Sequence, residues 1–545
     1  MLPKLLLAAG LMLMGWDLAR AQDAGAAESP AAAAAALYQQ HCAACHGTNR
    51  TGGMGPALLP ESLTRIKSGE LLQVVRVGRP ATQMPGFAAD GPAHGPLTPS
   101  EVEQLARYVA KTPVLPVPEW SAHDIRESRI VDAEAFKAAE KPTQPVWPAD
   151  PMNLFVVVEA GDHHVSLVDG DRFEVVHRFP SRFALHGGPK FSPDGRFVYF
   201  GSRDGWITKY DLWRLAVVAE VRAGLNMRNI AVSGDGRWLM AANFLPGNVV
   251  LFDSDLQLQR VIPAVAQGGG AASRVSAVYD AAPRKSFIVA LKDVPELWEI
   301  SYDPEAAPVY RGLVHDWRLK EGIAEAGQFA VRRTMLDEPL DDFFFDDEYA
   351  HAIGATRPKA GSDAAQAQVV NLDIRRRIAT LDLPGMPHLG SGIGWDWTRP
   401  DGTQTRVVAS PNLRDGLVSV IDTQSWKTIK QIPTLGPGFF MRSHEASRYA
   451  WVDAMMGPRK DTLLVIDKQT LEPAGTVTAE PGKTLAHVEF TKDGRYVLAS
   501  LWEMDGALVV YDAKTLREVK RLPMKKPVGK YNVFNKITRS EGTSH

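Results

Sequence analysis

Cysteine is nearly absent from this sequence: there are two in 545 residues, at positions 42 and 45. A disulfide framework is thereby excluded, because a bridge across so short a loop constrains almost nothing. Neither sign of charge is in excess, with 61 basic and 63 acidic side chains and a formal net charge of −2. A basic groove for nucleic acid is excluded with it. A spanning hydrophobic segment is also missing. Leu5 to Trp16 is apolar but too short and too poorly flanked to cross a bilayer. With Lys4 before it and Ala19-Arg20-Ala21 after it, this stretch reads as a secretory leader over 1–21, which predicts a periplasmic protein. Residues 22–36, rich in alanine and poor in large side chains, read as a flexible tether. What remains is too long for one core and predicts at least two domains.

The two cysteines fall in Cys42-Ala43-Ala44-Cys45-His46. A zinc site needs further soft ligands, and no other cysteine exists. A redox dithiol has no need of the adjacent histidine. The spacing suits covalent haem: two thiols add to two vinyl groups on one edge of the macrocycle, and His46 is placed under the iron. Cys42 and Cys45 are thus the attachment residues of one c haem. A sixth ligand is sought in a later loop. Met84 precedes Pro85, which disfavours helix there, and a thioether ligand suits electron transfer. Met84 is the expected ligand and His94 its competitor. Thr98-Pro99-Ser100-Glu101 opens a capped helix running to Ala110. Residues 37–112 therefore read as an α-helical, class I type cytochrome c domain, and 113–151, rich in proline and charge, as a linker.

Beyond residue 152 the pattern changes to short alternating strands. Ser192-Pro193-Asp194-Gly195-Arg196 recurs as Ser233-Gly234-Asp235-Gly236-Arg237 and as Thr491-Lys492-Asp493-Gly494-Arg495, each an Asp-Gly turn between apolar runs. A second mark is an aspartate closing an apolar strand, at 169, 211, 253, 303, 373, 422, 467 and 512. Such a period suits propeller blades of four strands, which predicts an all-β, eight-bladed propeller over 152–545. The stretch between Asp303 and Asp373 is the least regular. The propeller carries no metal-binding run, so a ligand in its central channel is held by dispersed residues.

A c haem module followed by an eight-bladed propeller resembles the cytochrome cd1 nitrite reductase family. Ala184-Leu185-His186 is placed like the family's proximal haem d1 ligand. Gly201-Ser202-Arg203-Asp204-Gly205, Asn226-Met227-Arg228 and Gly529-Lys530-Tyr531-Asn532-Val533-Phe534-Asn535 are similar to family segments. The resemblance implies that His186 ligates the iron and that Arg203 and Arg228 hold cofactor carboxylates, for which a guanidinium fork is the natural partner. His388, in Met386-Pro387-His388, matches one of two distal histidines. His444 matches another family histidine and is either a distal ligand or a hydrogen-bonding loop residue.

The second distal histidine has no counterpart. Near Pro339-Leu340-Asp341-Asp342-Phe343 its place is acidic, and no histidine lies between His315 and His351. A pocket that delivers two protons to nitrite has lost one donor. This departure resembles the branch that completes haem d1, the dihydro-haem d1 dehydrogenases. It implies a tetrapyrrole substrate, haem d1 or dihydro-haem d1, whose propionate is oxidised to an acrylate while electrons leave through the c haem. His388 is then the expected base. The partners implied are a small periplasmic electron acceptor and the cd1 nitrite reductase as recipient of haem d1. A nitrite reductase with a rearranged pocket and a non-catalytic haem d1 carrier are the alternatives. His163, His164, His177 and His351 are expected to have no role.

Overall fold

The computed structural model describes residues 29–53, 55–63, 66, 68–79, 84–141, 144–311, 323–356 and 367–539. The expected leader, 1–21, lies outside them. No helix among the described residues is long and apolar enough to cross a membrane.

The first helix, α1 (Pro30–His41), begins inside the stretch expected to be a tether. Ser29 accepts from the Ala32 amide, Pro30 occupies the first turn, and the alanine run has the highest helix propensity of any residue. Ala34 and Tyr38 bury the inner face of this helix. The tether reading is therefore corrected over 30–36. Helix α1 packs on α5 (Pro99–Lys111), which opens in the expected capping box: Thr98 and Glu101 bond each other's amides reciprocally. Between them lie the short α2 (Ala43–His46), α3 (Pro60–Leu63) and α4 (Ser68–Val77). Their inward side chains form one apolar cluster around Cys42, Leu71, Leu97 and Leu105.

Eight antiparallel blades follow among the described residues, as the repeats predict, seven of four strands and one of five. We number them blades 1 to 8 in chain order. The ring is closed by Pro527–Asn532, which pairs with Leu154–Glu159 as the innermost strand of blade 1. Six of the eight aspartate marks end the third strand of their blades, Asp303 and Asp373 stand two residues past it, and most have a common cause. Asp169, Asp211, Asp422, Asp467 and Asp512 each accept two amides, two and three residues on, so each side chain makes the turn to the outer strand. In blade 5 the same work falls to Asn371, whose Oδ1 accepts from Asp373 and Ile374, while Asp373 pairs with Arg284. The Asp-Gly turns carry left-handed glycines, with φ of 70° at Gly195 and 71° at Gly236. The irregular stretch contains an extra hairpin, Val309–Arg311 with Ile323–Glu325, inserted before the outer strand of blade 4.

The described residues of the linker over 113–151 pack on the propeller. This linker holds helices Ala122–Glu127 and Ala133–Ala139, and its strand Ile130–Val131 extends the outer edge of blade 2. Trp120 donates its indole N–H to the Arg222 carbonyl at 2.9 Å. A small apolar cluster of Ala57, Leu59, Val114, Trp120, Leu225 and Leu245 joins the helical domain to blades 2 and 3. The helical domain is thereby seated over one side of the propeller.

Candidate functional site: two facing cavities

A cavity of about 540 Å³ lies between the helices and the propeller. Cys42, Cys45, His46 and Met84 line it, together with His163, Phe183, Arg203 and Asp204 from the propeller side. The buried His46 donates from Nδ1 to the Pro56 carbonyl at 2.8 Å, so its Nε2 lone pair is the one available to a metal. Burial lowers its pKa, which keeps the ring in the neutral ligating form. Gly55 lies against this ring, and a Cβ there would sit 2.7 Å from Cε1. Burial pushes the Cys42 thiol up to about 11. The donor set, the glycine cradle and the size all fit a covalently held haem. His94 is exposed in a turn and does not line the cavity, so Met84 is the side chain that faces His46's cavity. His163 was expected to be idle, yet it lines this cavity and packs on Phe183 with ring centroids 5.1 Å apart.

A second cavity, of about 500 Å³, occupies one mouth of the propeller channel. Every blade contributes to it through its innermost strand or the loop entering it: His186, Arg228, Tyr279, Asp342, His388, Arg442, His487 and Tyr531 come from eight different blades. His186 donates from Nδ1 to the Arg228 carbonyl at 2.8 Å and so presents Nε2 as an acceptor. Arg203 reaches that Nε2 from the first cavity at 2.5 Å, and Arg228 approaches it at 3.3 Å. The two cavities are therefore separated by one contact, Arg203 to His186.

His388 donates from Nδ1 to the Phe439 carbonyl at 2.6 Å, and its ring rests on Phe439 at 4.1 Å. Its pKa is lowered, mainly by burial, with Asp342 acting in the opposite sense. Asp342 lies in the segment near which the family's second distal histidine is expected. Its carboxylate accepts from Arg228 at 3.1 Å and from the Tyr279 hydroxyl at 2.7 Å. Gly390 makes room for it, since a Cβ there would lie 2.5 Å from Oδ2. Asp341 lines the same wall and pairs with Lys292.

Two expectations shift. His444 is not brought to this cavity. It is buried between blades 7 and 8, where Nδ1 accepts from the Ala446 amide at 3.0 Å and the ring packs beside Phe490. Arg203 lies on the first cavity's side of His186 and not along the second cavity's lining. His164, His177 and His351 lie outside both linings; His164 and His351 bond nearby acidic or carbonyl oxygens. The residue the sequence reading missed is His487. A register shift between Ala486 and Val488, with φ of 49° at His487, turns this side chain into the channel. It packs against Phe440 at 4.6 Å and Tyr531 at 5.3 Å. Burial and the neighbouring Lys530 and Arg442 hold its pKa well below the usual imidazole range.

A helical module built to hold a c haem, set against a propeller whose channel mouth gathers imidazoles, arginines and aromatic rings, defines a two-tetrapyrrole redox protein. The chain belongs to the family described as cytochrome D1 heme domain, whose model matches residues 149–312 and 323–536. Residues 29–109 match a model described as cytochrome C oxidase, cbb3-type, subunit III. The chain is 55% identical over 511 residues to the dihydro-heme d1 dehydrogenase of Pseudomonas aeruginosa, covering 94% of this chain and 95% of that one. It is 27% identical to the nitrite reductase of Stutzerimonas stutzeri over 97% of both chains. Among solved structures, dihydro-heme d1 dehydrogenase NirN in complex with DHE is 53% identical, with a TM-score of 0.83, covering 93% of this chain and 100% of that one.

Proposed function

We propose that this protein completes haem d1: it binds dihydro-haem d1 at the channel mouth and oxidises one propionate side chain to the acrylate. The observation that carries the reading is the make-up of that cavity. It offers imidazoles suited to iron and to one proton, and a carboxylate, Asp342, where a nitrite-reducing pocket needs a second proton donor. Identity of 55% over nearly the whole of both chains with a dihydro-heme d1 dehydrogenase supports the same reading.

Each residue's part follows from its hydrogen bonds. His186, with Nδ1–H fixed on the Arg228 carbonyl, holds Nε2 toward the substrate iron. Arg228 is positioned by Asp342 and by the Ser276 carbonyl, and its guanidinium is the partner for a substrate carboxylate. His388, fixed through Nδ1 on Phe439, keeps a neutral Nε2 to take a proton from the saturated side chain. Asp453 accepts the amides of Phe439 and Phe440 and so sets the aromatic wall. As CH₂–CH₂ becomes CH=CH, two electrons and two protons leave. A c haem held by Cys42, Cys45, His46 and Met84 would supply one-electron acceptance, used twice, with a small soluble carrier as the final acceptor. Arg203 and His186 stand at the boundary of the two cavities, and Arg203 gives up the Nε2 lone pair when that nitrogen takes the iron. Action in the periplasm and delivery of the product to a cd1 nitrite reductase belong to the same proposal.

The test mixes purified protein with dihydro-haem d1 and a one-electron acceptor and follows the absorption spectrum. Appearance of the haem d1 spectrum, with transient reduction of the c haem, is the expected result. A stable complex without conversion returns the reading to a carrier. Turnover of nitrite by protein loaded with haem d1 returns it to a reductase.

A further inference from the structure

The c haem cavity has two unlike sides. Toward the helices its lining is mostly aliphatic, with Leu58, Leu71, Val75, Leu105 and Val109 among the residues that face inward. The charged side chains of the lining, Arg79, Arg203 and Asp204, are gathered where the helical domain meets the propeller. A c haem carries two propionates on the edge opposite its thioether links. A carboxylate taken out of water needs a hydrogen-bonding or charged partner, and the aliphatic side offers none.

Three side chains from the two domains meet on the charged side. Arg79 follows helix α4, and its amide donates to the Met84 carbonyl at 3.0 Å, at the base of the loop that carries the expected sixth ligand. Its guanidinium lies over the ring of Phe183, 5.3 Å from the centroid. Phe183 belongs to the loop that leads from blade 1 to blade 2. His163 stands in the turn between Leu154–Glu159 and His164–Asp169 of blade 1 and packs on the same ring, with centroids 5.1 Å apart. The Ser181 amide donates to the His163 carbonyl at 2.7 Å, which ties that turn to the Phe183 loop. The other two charges on this side are engaged: Asp204 accepts from the Ser202 hydroxyl, and Arg203 is directed at His186.

We propose that Arg79 and His163, backed by Phe183, hold a propionate of the c haem across the domain interface and so raise the potential at which this haem accepts an electron. The guanidinium is the fork that suits a carboxylate, and the imidazole adds one N–H. A cation beside the propionates offsets their charge. It thereby disfavours the ferric ion, which carries one positive charge more than the ferrous one. Burial, and after it the field of Arg79, lower the pKa of His163, so the ring meets the carboxylate in its neutral form. One partner is helical and two belong to the propeller, so the potential of the haem depends on the docking of the domains. The proposal stands on the c haem alone and holds whatever the propeller's substrate is.

The test is a spectroelectrochemical titration of the c haem in the parent holoprotein and in Arg79→Gln, Arg79→Lys and His163→Phe, with no precursor added. Arg79→Gln should favour the ferric form by about tenfold at a fixed solution potential, or about 59 mV for one electron. Arg79→Lys should recover part of that shift, since it restores the charge without the fork. His163→Phe keeps an aromatic ring against Phe183 and loses only the N–H, so it should shift the haem the same way by about threefold. The methionine–iron charge-transfer band reports whether the sixth ligand has stayed in place. If Arg79→Gln loses that band, His163→Phe, in the other domain, decides the matter. Parental potentials in variants that keep the band overturn the proposal. So does a shift in Arg79→Gln that Arg79→Lys leaves undiminished, because packing and not charge would then be its cause.

Discussion

The two cavities hold similar ligand chemistry by opposite means. In the helical domain, Cys42, Cys45 and His46 fall on one short helical turn, and the rest of the lining comes from the following loops and helices and from the propeller side. In the propeller, eight side chains spread from His186 to Tyr531 meet because eight innermost strands converge on one axis. A local site is fixed by a few backbone dihedrals and tolerates a change of scaffold. A distributed site exists only when the whole ring is closed, and several of its members are held by a hydrogen bond to a neighbouring blade, as His186 is to Arg228 and His388 to Phe439. The difference teaches that attachment chemistry can be local, whereas substrate shape must be built globally.

The most severe way to break the comparison is to remove the local site alone. Cys42→Ala with Cys45→Ala should abolish covalent haem and all multiple turnover, while the propeller still binds precursor with parental affinity. Haem staining after denaturing electrophoresis and a spectral titration check the two halves. Lost precursor binding would mean that the sites are not independent.

His186→Ala attacks the distributed site at its metal ligand. Changes one shell further out commonly cost 10–100-fold in affinity, so removal of the ligand itself should weaken precursor binding at least about 100-fold. The c haem spectrum should stay as in the parent. Spectral titration with dihydro-haem d1 reads both.

His388→Gln should leave binding in place and slow conversion by about 10²–10⁴-fold, the range of general base catalysis. The pH profile carries a sign. Burial lowers the pKa of His388, so the neutral, proton-accepting ring persists as pH falls through the ordinary histidine range near 6.5. Single-turnover rates in the parent should therefore hold from neutral pH to below 6.5 and decline only further on the acid side. A decline already centred at 6.5 would assign the base to a solvated group.

Legibility followed the same division. The haem attachment could be read outright because its residues are adjacent. Blade count could be read because one turn recurs. His186 and His388 emerged only through family resemblance, since an isolated histidine in a strand-rich sequence carries no signal of its own. His487 stayed hidden for a physical reason. It sits inside the apolar strand Leu485–Phe490, and only a bulge in the pairing turns it inward. Asp342 was visible as an acidic replacement, but not its bonds to Arg228 and Tyr279, which lie 114 and 63 residues away in sequence. His444 fits the second of its two readings, a hydrogen-bonding loop residue, because it is buried between blades.

The gentlest test concerns the very feature that was easiest to read. Asp512 closes the third strand of blade 8 and accepts from the amides of Lys514 and Thr515 and from the Thr515 hydroxyl. Asp512→Ala removes those bonds from a solvated turn, where water replaces part of what is lost, so stability should fall by about 1 kcal/mol. Its pKa is lowered, chiefly by the Thr515 amide, so the contribution is present above the ordinary aspartate value and is lost as pH falls through the lower folded value. The thermal midpoint should drop slightly at neutral pH, and the deficit should close in acid. Precursor binding and conversion should not change, because the turn lies on the outer part of the blade. An altered conversion rate would show that the repeat marks reach the channel, and that the division between a recurring scaffold and a unique site is less clean than the two cavities suggest.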